Sequence, residues 1–256
     1  MLPFFRKIRY RLAKDNEPAS RTGRFLNYSR YAIGEIVLVV VGILIALQVN
    51  TWNEDRVARN KEREVLEDLL KELKHDLLDA IWMREINDQS LRSMSIIRQC
   101  LEEDLPYHDS LKFHFSLTTF IVYPQINGSV FEAIKSDGLD LISNKSLRDS
   151  IVVTYGFQKE WIADQKKQYQ EFMMNATQNV FNTRFEELWD ASFDPISESK
   201  MIPVDYEALK TDQEYLYVIR TLPNLNKFYI TWPIQSTIRR LEDLQNAIEV
   251  ELSRRN

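Results

Sequence analysis

Two hydrophobic patterns divide this chain. The first is continuous: Ile36 to Ala46 is an unbroken apolar run with Gly42 inside it. Extended by residues 31–35 on one side and 47–51 on the other, it becomes a segment of 21 residues, YAIGEIVLVVVGILIALQVNT. A helix of about 20 residues rises roughly 30 Å, the thickness of a bilayer's hydrocarbon core, so the pattern predicts a transmembrane helix over 31–51. The second pattern is periodic. From Asn53 the chain runs without Gly or Pro to Leu105, and its apolar residues (Val57, Leu66, Leu69, Leu70, Leu73, Leu77, Leu78, Ile81, then Ile86, Leu91, Met94, Ile97 and Leu101) recur at helical spacing. Residues 52–65, with eight charged side chains among fourteen, read as a solvated helical stalk. Leu66, Leu73 and Ala80 alternate with Leu70 and Leu77 for two or three heptads, which fits a core-facing helix better than a coiled coil.

Beyond Pro106 the spacing predicts a helix within 108–122, with Leu111, Phe115, Leu117 or Thr118, and Ile121 on one face. A short helix follows over 129–137, stopped by Gly138, and another starts at Lys145 behind the N-cap Asn144. Residues 157–190 read as one long amphipathic helix, 194–203 as a loop, and 205–220 and 235–254 as two final helices. With only Gly128, Gly138 and Gly156 beyond the span, the chain lacks the turns of a many-stranded sheet. The expected fold is all-α: one N-terminal transmembrane helix continuing into a charged stalk and an external helical bundle. Its divisions are a basic cytoplasmic or interfacial segment 1–30, the span 31–51, the stalk 52–65 and an external domain 66–256.

Charge gives this arrangement a direction. Residues 1–30 carry eight Lys or Arg against Asp15 and Glu17, whereas the rest holds 25 basic and 36 acidic residues. Basic residues beside a span stay in the cytoplasm, so the N-terminus is expected inside and residues from about 52 onward in the periplasm. Tyr28 and Tyr31 at one end and Trp52 at the other sit where aromatic belts form. A cleaved signal peptide fits less well: the basic region is long, the apolar run exceeds a usual h-region, and residues 48–52 offer no small-residue cleavage site. Arg6, Lys7, Arg9 and Arg11, interleaved with aromatics, suit an interfacial helix on anionic lipid, and Arg30 stands at the span's edge. Their alternative role is only to set topology.

Glu35 is the odd residue of the span. Near the cytoplasmic end it can reach the headgroups or Arg30, its structural reading. The functional reading is that Glu35 and Gly42 lie seven apart while Gly42 and Ala46 form a small-xxx-small pair, a stripe suited to helix association.

Candidate chemistry changes the picture little. His75, His108 and His114 show no metal-ligand spacing, no phosphate-binding or nucleophile motif occurs, and no cofactor is expected. The one cysteine, Cys100, excludes an intrachain disulfide and reads as a buried thiol. An acidic exterior disfavours nucleic acid. The aromatics of the second half read as helix-packing core, with a ligand groove as their alternative, and Arg148 is expected to pair with a neighbouring carboxylate.

The leader FFRKIRYRL, the segment YAIGEIVLVVVGILIALQVNTWNED and the later block VFEAIKSDGLDLISNKSLRDSIVVTY resemble a family of small bacterial membrane proteins of Bacteroidota, known only as a domain of unknown function. The resemblance implies a single-span protein of the bacterial inner membrane and no activity. The expectation is therefore a non-enzymatic membrane protein acting by association, as a scaffold or accessory subunit. Its partners would be membrane lipid, a second copy through the membrane helix, and an unidentified membrane or periplasmic protein. The alternative is a periplasmic sensor or ligand-binding module that signals through a partner.

Overall fold

A computed structural model describes residues 21–189 and 199–254, with side chains from Ala32 onward. The described residues are all-α, with an isolated antiparallel bridge between Phe185 and Pro203. Contacts divide the chain into two compact units, 1–60 and 61–256. The 82-residue helix α1, Arg21–Glu102, contributes to both.

In the first unit, the apolar side chains of α1 from Ile33 to Val49 are turned outward, with none of the apolar window buried. This is a helix long and apolar enough to cross a membrane. Past it, Asn50 donates to Glu54 at 2.7 Å, Arg56 donates to Asn53 at 3.2 Å, and the Arg56 guanidinium lies 5.6 Å from the centre of the Trp52 ring.

The second unit holds the core. In it α1 is followed by α2 (Leu111–Thr118), α3 (Ser129–Asp137), a 3₁₀ turn (Leu139–Leu141), and α4 (Lys145–Val152). Next come a π turn (Val153–Gln158), α5 (Lys159–Ala176), a second π turn (Thr177–Phe181) and α6 (Asn182–Arg184). The chain ends in α7 (Tyr206–Leu209), α8 (Gln213–Asn226), a third π turn (Lys227–Thr231) and α9 (Trp232–Ser253). Caps fall where the residue chemistry puts them. Asn144 accepts from the Leu147 amide, Asp205 from Ala208, and Asp212 from Glu214 and Tyr215. Gly138 closes α3 with φ +110°, a region in which a side chain is strained.

Two expected breaks are absent. The helix that starts at Lys145 does not stop before 157; it runs through Gly156 by widening into a π turn and ends at Arg184, where Phe185 turns extended to pair with Pro203. The expected helix 205–220 is interrupted after Leu209, where Asp212 caps a new start, and from Gln213 it joins the expected 235–254 helix in one run to Ser253 across Pro223 and Pro233. Pro233 has no N–H for the carbonyl of Tyr229, and the π turn Lys227–Thr231 lies where that hydrogen bond is missing. Within 108–122 only Leu111–Thr118 is helical, and Thr118 rather than Leu117 is buried. Of the expected loop 194–203, residues 194–198 lie outside the described set.

The heptad stripe of α1 is longer than its apolar residues reveal. Leu66, Leu73, Ala80, Asn87, Met94 and Leu101 fall seven apart and are all buried, as are Leu69, Asp76, Ser90 and Ile97 on the adjacent stripe. Each polar member is bonded to a different later segment. Asn87 donates to Thr231 at 3.0 Å, Thr231 donates to Asn226 at 3.0 Å, and Asn226 donates back to Asn87 at 2.8 Å, a closed ring that ties the third π turn to α1. Ser90 donates to the carbonyl of Leu117 at 2.7 Å and Ser93 pairs with His114 at 3.0 Å, fastening α2. Farther down, Glu72 accepts from the amides of Gly128 and Val130 and from the Ser129 hydroxyl, which anchors the start of α3. Asp76 accepts from the Asn127 amide, and Glu62 from the amide and hydroxyl of Ser143 at 2.7 and 3.0 Å.

Glu72 gathers three donors onto one buried carboxylate. Charge-assisted bonds of this kind contribute about 1.5–3 kcal/mol each at most, and removing the acceptor strands the amides of Gly128 and Val130. In denaturant unfolding of the detergent-solubilised chain, Glu72→Ala should lower stability by about 3 kcal/mol, and Glu72→Gln by clearly less, because the amide oxygen can still accept.

Candidate functional site on the apolar helix and an aromatic face

The residues singled out for helix association lie on one side of α1: Glu35 and Gly42 are seven apart, Gly42 and Ala46 four apart, and all three face outward. A Cβ built on Gly42 would meet no heavy atom within 4 Å. The glycine is therefore not required by the fold of the chain itself. Of the membrane-interface set, Arg6, Lys7, Arg9 and Arg11 lie outside the described residues. Tyr28, Arg30 and Tyr31 belong to α1 by backbone, with side chains outside that set, and Trp52 is exposed under Arg56.

In the second unit most aromatic side chains are core. Phe115, Phe181, Phe185 and Tyr215 interlock edge-on with centroids 5.1–6.1 Å apart, and Tyr123, Phe131, Tyr155 and Tyr169 are buried. One group is not. Trp232 packs edge-on against Trp161 at 5.3 Å and lies 6.2 Å from Phe228, which meets Tyr229 at 4.8 Å. Phe228 and Trp232 keep more than half their surface exposed beside Asn224 and Lys227. The π turn before Pro233 produces this face. Its extra residue shifts the helical register between α8 and α9, burying Ile230 while Phe228 and Trp232 turn outward.

The remaining candidates are structural. Arg148 pairs with Asp140, not with its neighbour Asp149. His108 bonds to Ser110, His114 to Ser93, and burial holds the His114 imidazole below its usual pKa. Cys100 is half-buried where a buried thiol was expected, and desolvation raises its pKa. Among the described residues no three His, Cys, Asp or Glu side chains are grouped to hold a metal ion.

Sequence reasoning missed the buried acids of α1, because Glu62, Glu72 and Asp76 sit in a charged helix and look solvated. The signal that could have found them is the seven-residue stripe continued through polar positions. Asp76 is pushed up to about 6, chiefly by burial and further by the Glu72 charge, while the Asn127 amide opposes the shift. An acid whose folded pKa exceeds its unfolded value near 3.8 binds more protons in the native state between the two values. Its contribution to stability is therefore undiminished below about 4 and falls as pH rises toward 6. The difference in stability between Asp76→Asn and the parent chain should grow in favour of the variant across pH 4–6 and stay flat above 7, as read from paired denaturation curves.

Residues 35–156, just under half of the chain, match the profile of a family of unknown function, DUF6090. The match takes in the apolar stretch of α1, the acids at 62, 72 and 76, and the segments at 127–130 and 143 that those acids hold. No curated protein and no solved structure matches the chain.

Proposed function

We propose that the chain is a single-span inner-membrane protein, N-terminus cytoplasmic and helical unit periplasmic, that acts by association between copies rather than by catalysis. The observation that carries this reading is the large apolar surface the folded chain leaves outside its own core. It comprises the outward side chains from Ile33 to Val49 and the Phe228–Trp232 face. Lipid covers most of the first surface, and the Glu35, Gly42 and Ala46 stripe lets a second helix approach closely within it. The second surface exceeds what scattered exposed residues explain, since four rings are in mutual contact. Orientation follows from the basic leader set against the acidic remainder.

A reporter active only in the periplasm should work when fused after Asn256 and stay silent at the N-terminus; the reverse pattern would overturn the orientation. For association, Gly42→Ile places a branched side chain where the chain itself has open space. Cross-linking in membranes should then show the dimer fraction falling at least fivefold, with a smaller fall for Glu35→Gln. An unchanged dimer in Gly42→Ile, and in the double variant Phe228→Ser with Trp232→Ser, would remove both surfaces from the proposal.

A further inference from the structure

A groove of about 360 Å³ opens between α4, the first π turn and α9. One wall is a single face of α4, with Ser146, Asp149 and Ser150 at positions i, i+3 and i+4, continued by Thr154 of the π turn. The other wall is α9, which presents Arg240 and Asp243 one turn apart. Three features mark it as more than a surface crease. The Arg240 Nε is buried and donates to nothing, and among the described residues the guanidinium forms no hydrogen bond or ion pair. With its inner nitrogen buried, the guanidinium turns its terminal nitrogens, which meet no acceptor among the described residues, to an anionic group that supplies one. The floor contains a π turn, a helical defect found often at functional sites. Its Gln158 is fastened to Thr237 of α9 by a buried hydrogen bond of 3.1 Å, which holds the two walls in register without any ligand.

The charges of the groove are of both signs and stay apart: one guanidinium on one side of the balance, the carboxylates of Asp149 and Asp243 on the other. A simple anion would meet two carboxylates, and a simple cation would meet the arginine. The complementary molecule carries a carboxylate and an ammonium together, and the second aspartate leaves one negative charge to be matched. We propose that this groove binds a free α-amino acid with a basic side chain. Its carboxylate would take the terminal Nη donors of Arg240, its two cationic groups would lie against Asp149 and Asp243, and the hydroxyls of Ser146, Ser150 and Thr154 would supply the remaining polar contacts. The site is independent of the association surfaces, sharing no residue with either.

The test uses the full chain in detergent, with melting temperature and calorimetric titration as readouts, and L-lysine and L-arginine as probes. Both should raise the melting temperature saturably, since a ligand stabilises the state it binds. L-Glutamate, acetate and inorganic phosphate should bind at least tenfold more weakly, as should 1,5-diaminopentane, which keeps both amines of lysine but has no carboxylate. Arg240→Ala should weaken L-lysine at least tenfold while 1,5-diaminopentane binds no more weakly, since the variant keeps both aspartates and loses a repelling charge, and Asp243→Asn should weaken both. Asp243 is exposed, so Asp243→Asn serves if Arg240→Ala is poorly folded by near-ultraviolet dichroism. The proposal is overturned by any one of three results: no saturable response to either basic amino acid, phosphate binding as tightly as lysine, or lysine affinity unchanged in Asp243→Asn.

Discussion

The fold of the helical unit depends on a line of hydrogen-bonding side chains on the buried face of one helix. Glu62, Glu72, Asp76, Asn87, Ser90 and Ser93 of α1 each reach a segment far away in sequence, and they are bonded to the turn before α4, the start of α3, the third π turn and α2. Leucines at those positions would bury as much apolar area, but apolar contact is non-directional and would let neighbouring helices slide. A buried carboxylate that must collect two amides and a hydroxyl accepts only one placement of its partner. The polar line therefore sets register, while Leu66, Leu69, Leu73, Ala80, Met94 and Ile97 supply the burial.

The same constraint explains the irregular helices. The ring formed by Asn87, Asn226 and Thr231 fits Asn226 and Thr231 five residues apart on one face, the spacing of a π turn rather than an α turn. The widening that satisfies these buried groups also turns Phe228 and Trp232 outward. An exposed aromatic face is in this sense the consequence of a buried polar ring on the other side of the helix, and the proposed association surface inherits its position from the core. The first π turn has a comparable double role: Gln158 locks it to Thr237 while Thr154 faces the groove with Arg240.

Titration enters at one point. Burial of Asp76 is offset by the single amide of Asn127 and reinforced by the Glu72 charge, so its carboxyl is held well above the ordinary range.

The sequence by itself determined the class and the boundaries that local chemistry controls. The long apolar helix was legible because its hydrophobic run is continuous, and the all-α class because glycine is too scarce for many turns. The start of α4 at Asn144 and the end of α3 at Gly138 were legible because a cap needs only residues within one turn of itself. What only the tertiary structure decided were the features whose cause lies more than a hundred residues away or across the core. The heptad stripe seemed to end near Ala80 because polar residues occupy its later positions, and their partners cannot be read from periodicity. The continuous helices through Gly156 and Pro233 looked broken because local rules count glycine's backbone freedom and proline's missing N–H but not the packing that makes up for them. Arg240, one of many charges along an amphipathic helix, stands out only when α9 is laid beside α4 and its Nε is left buried with no acceptor.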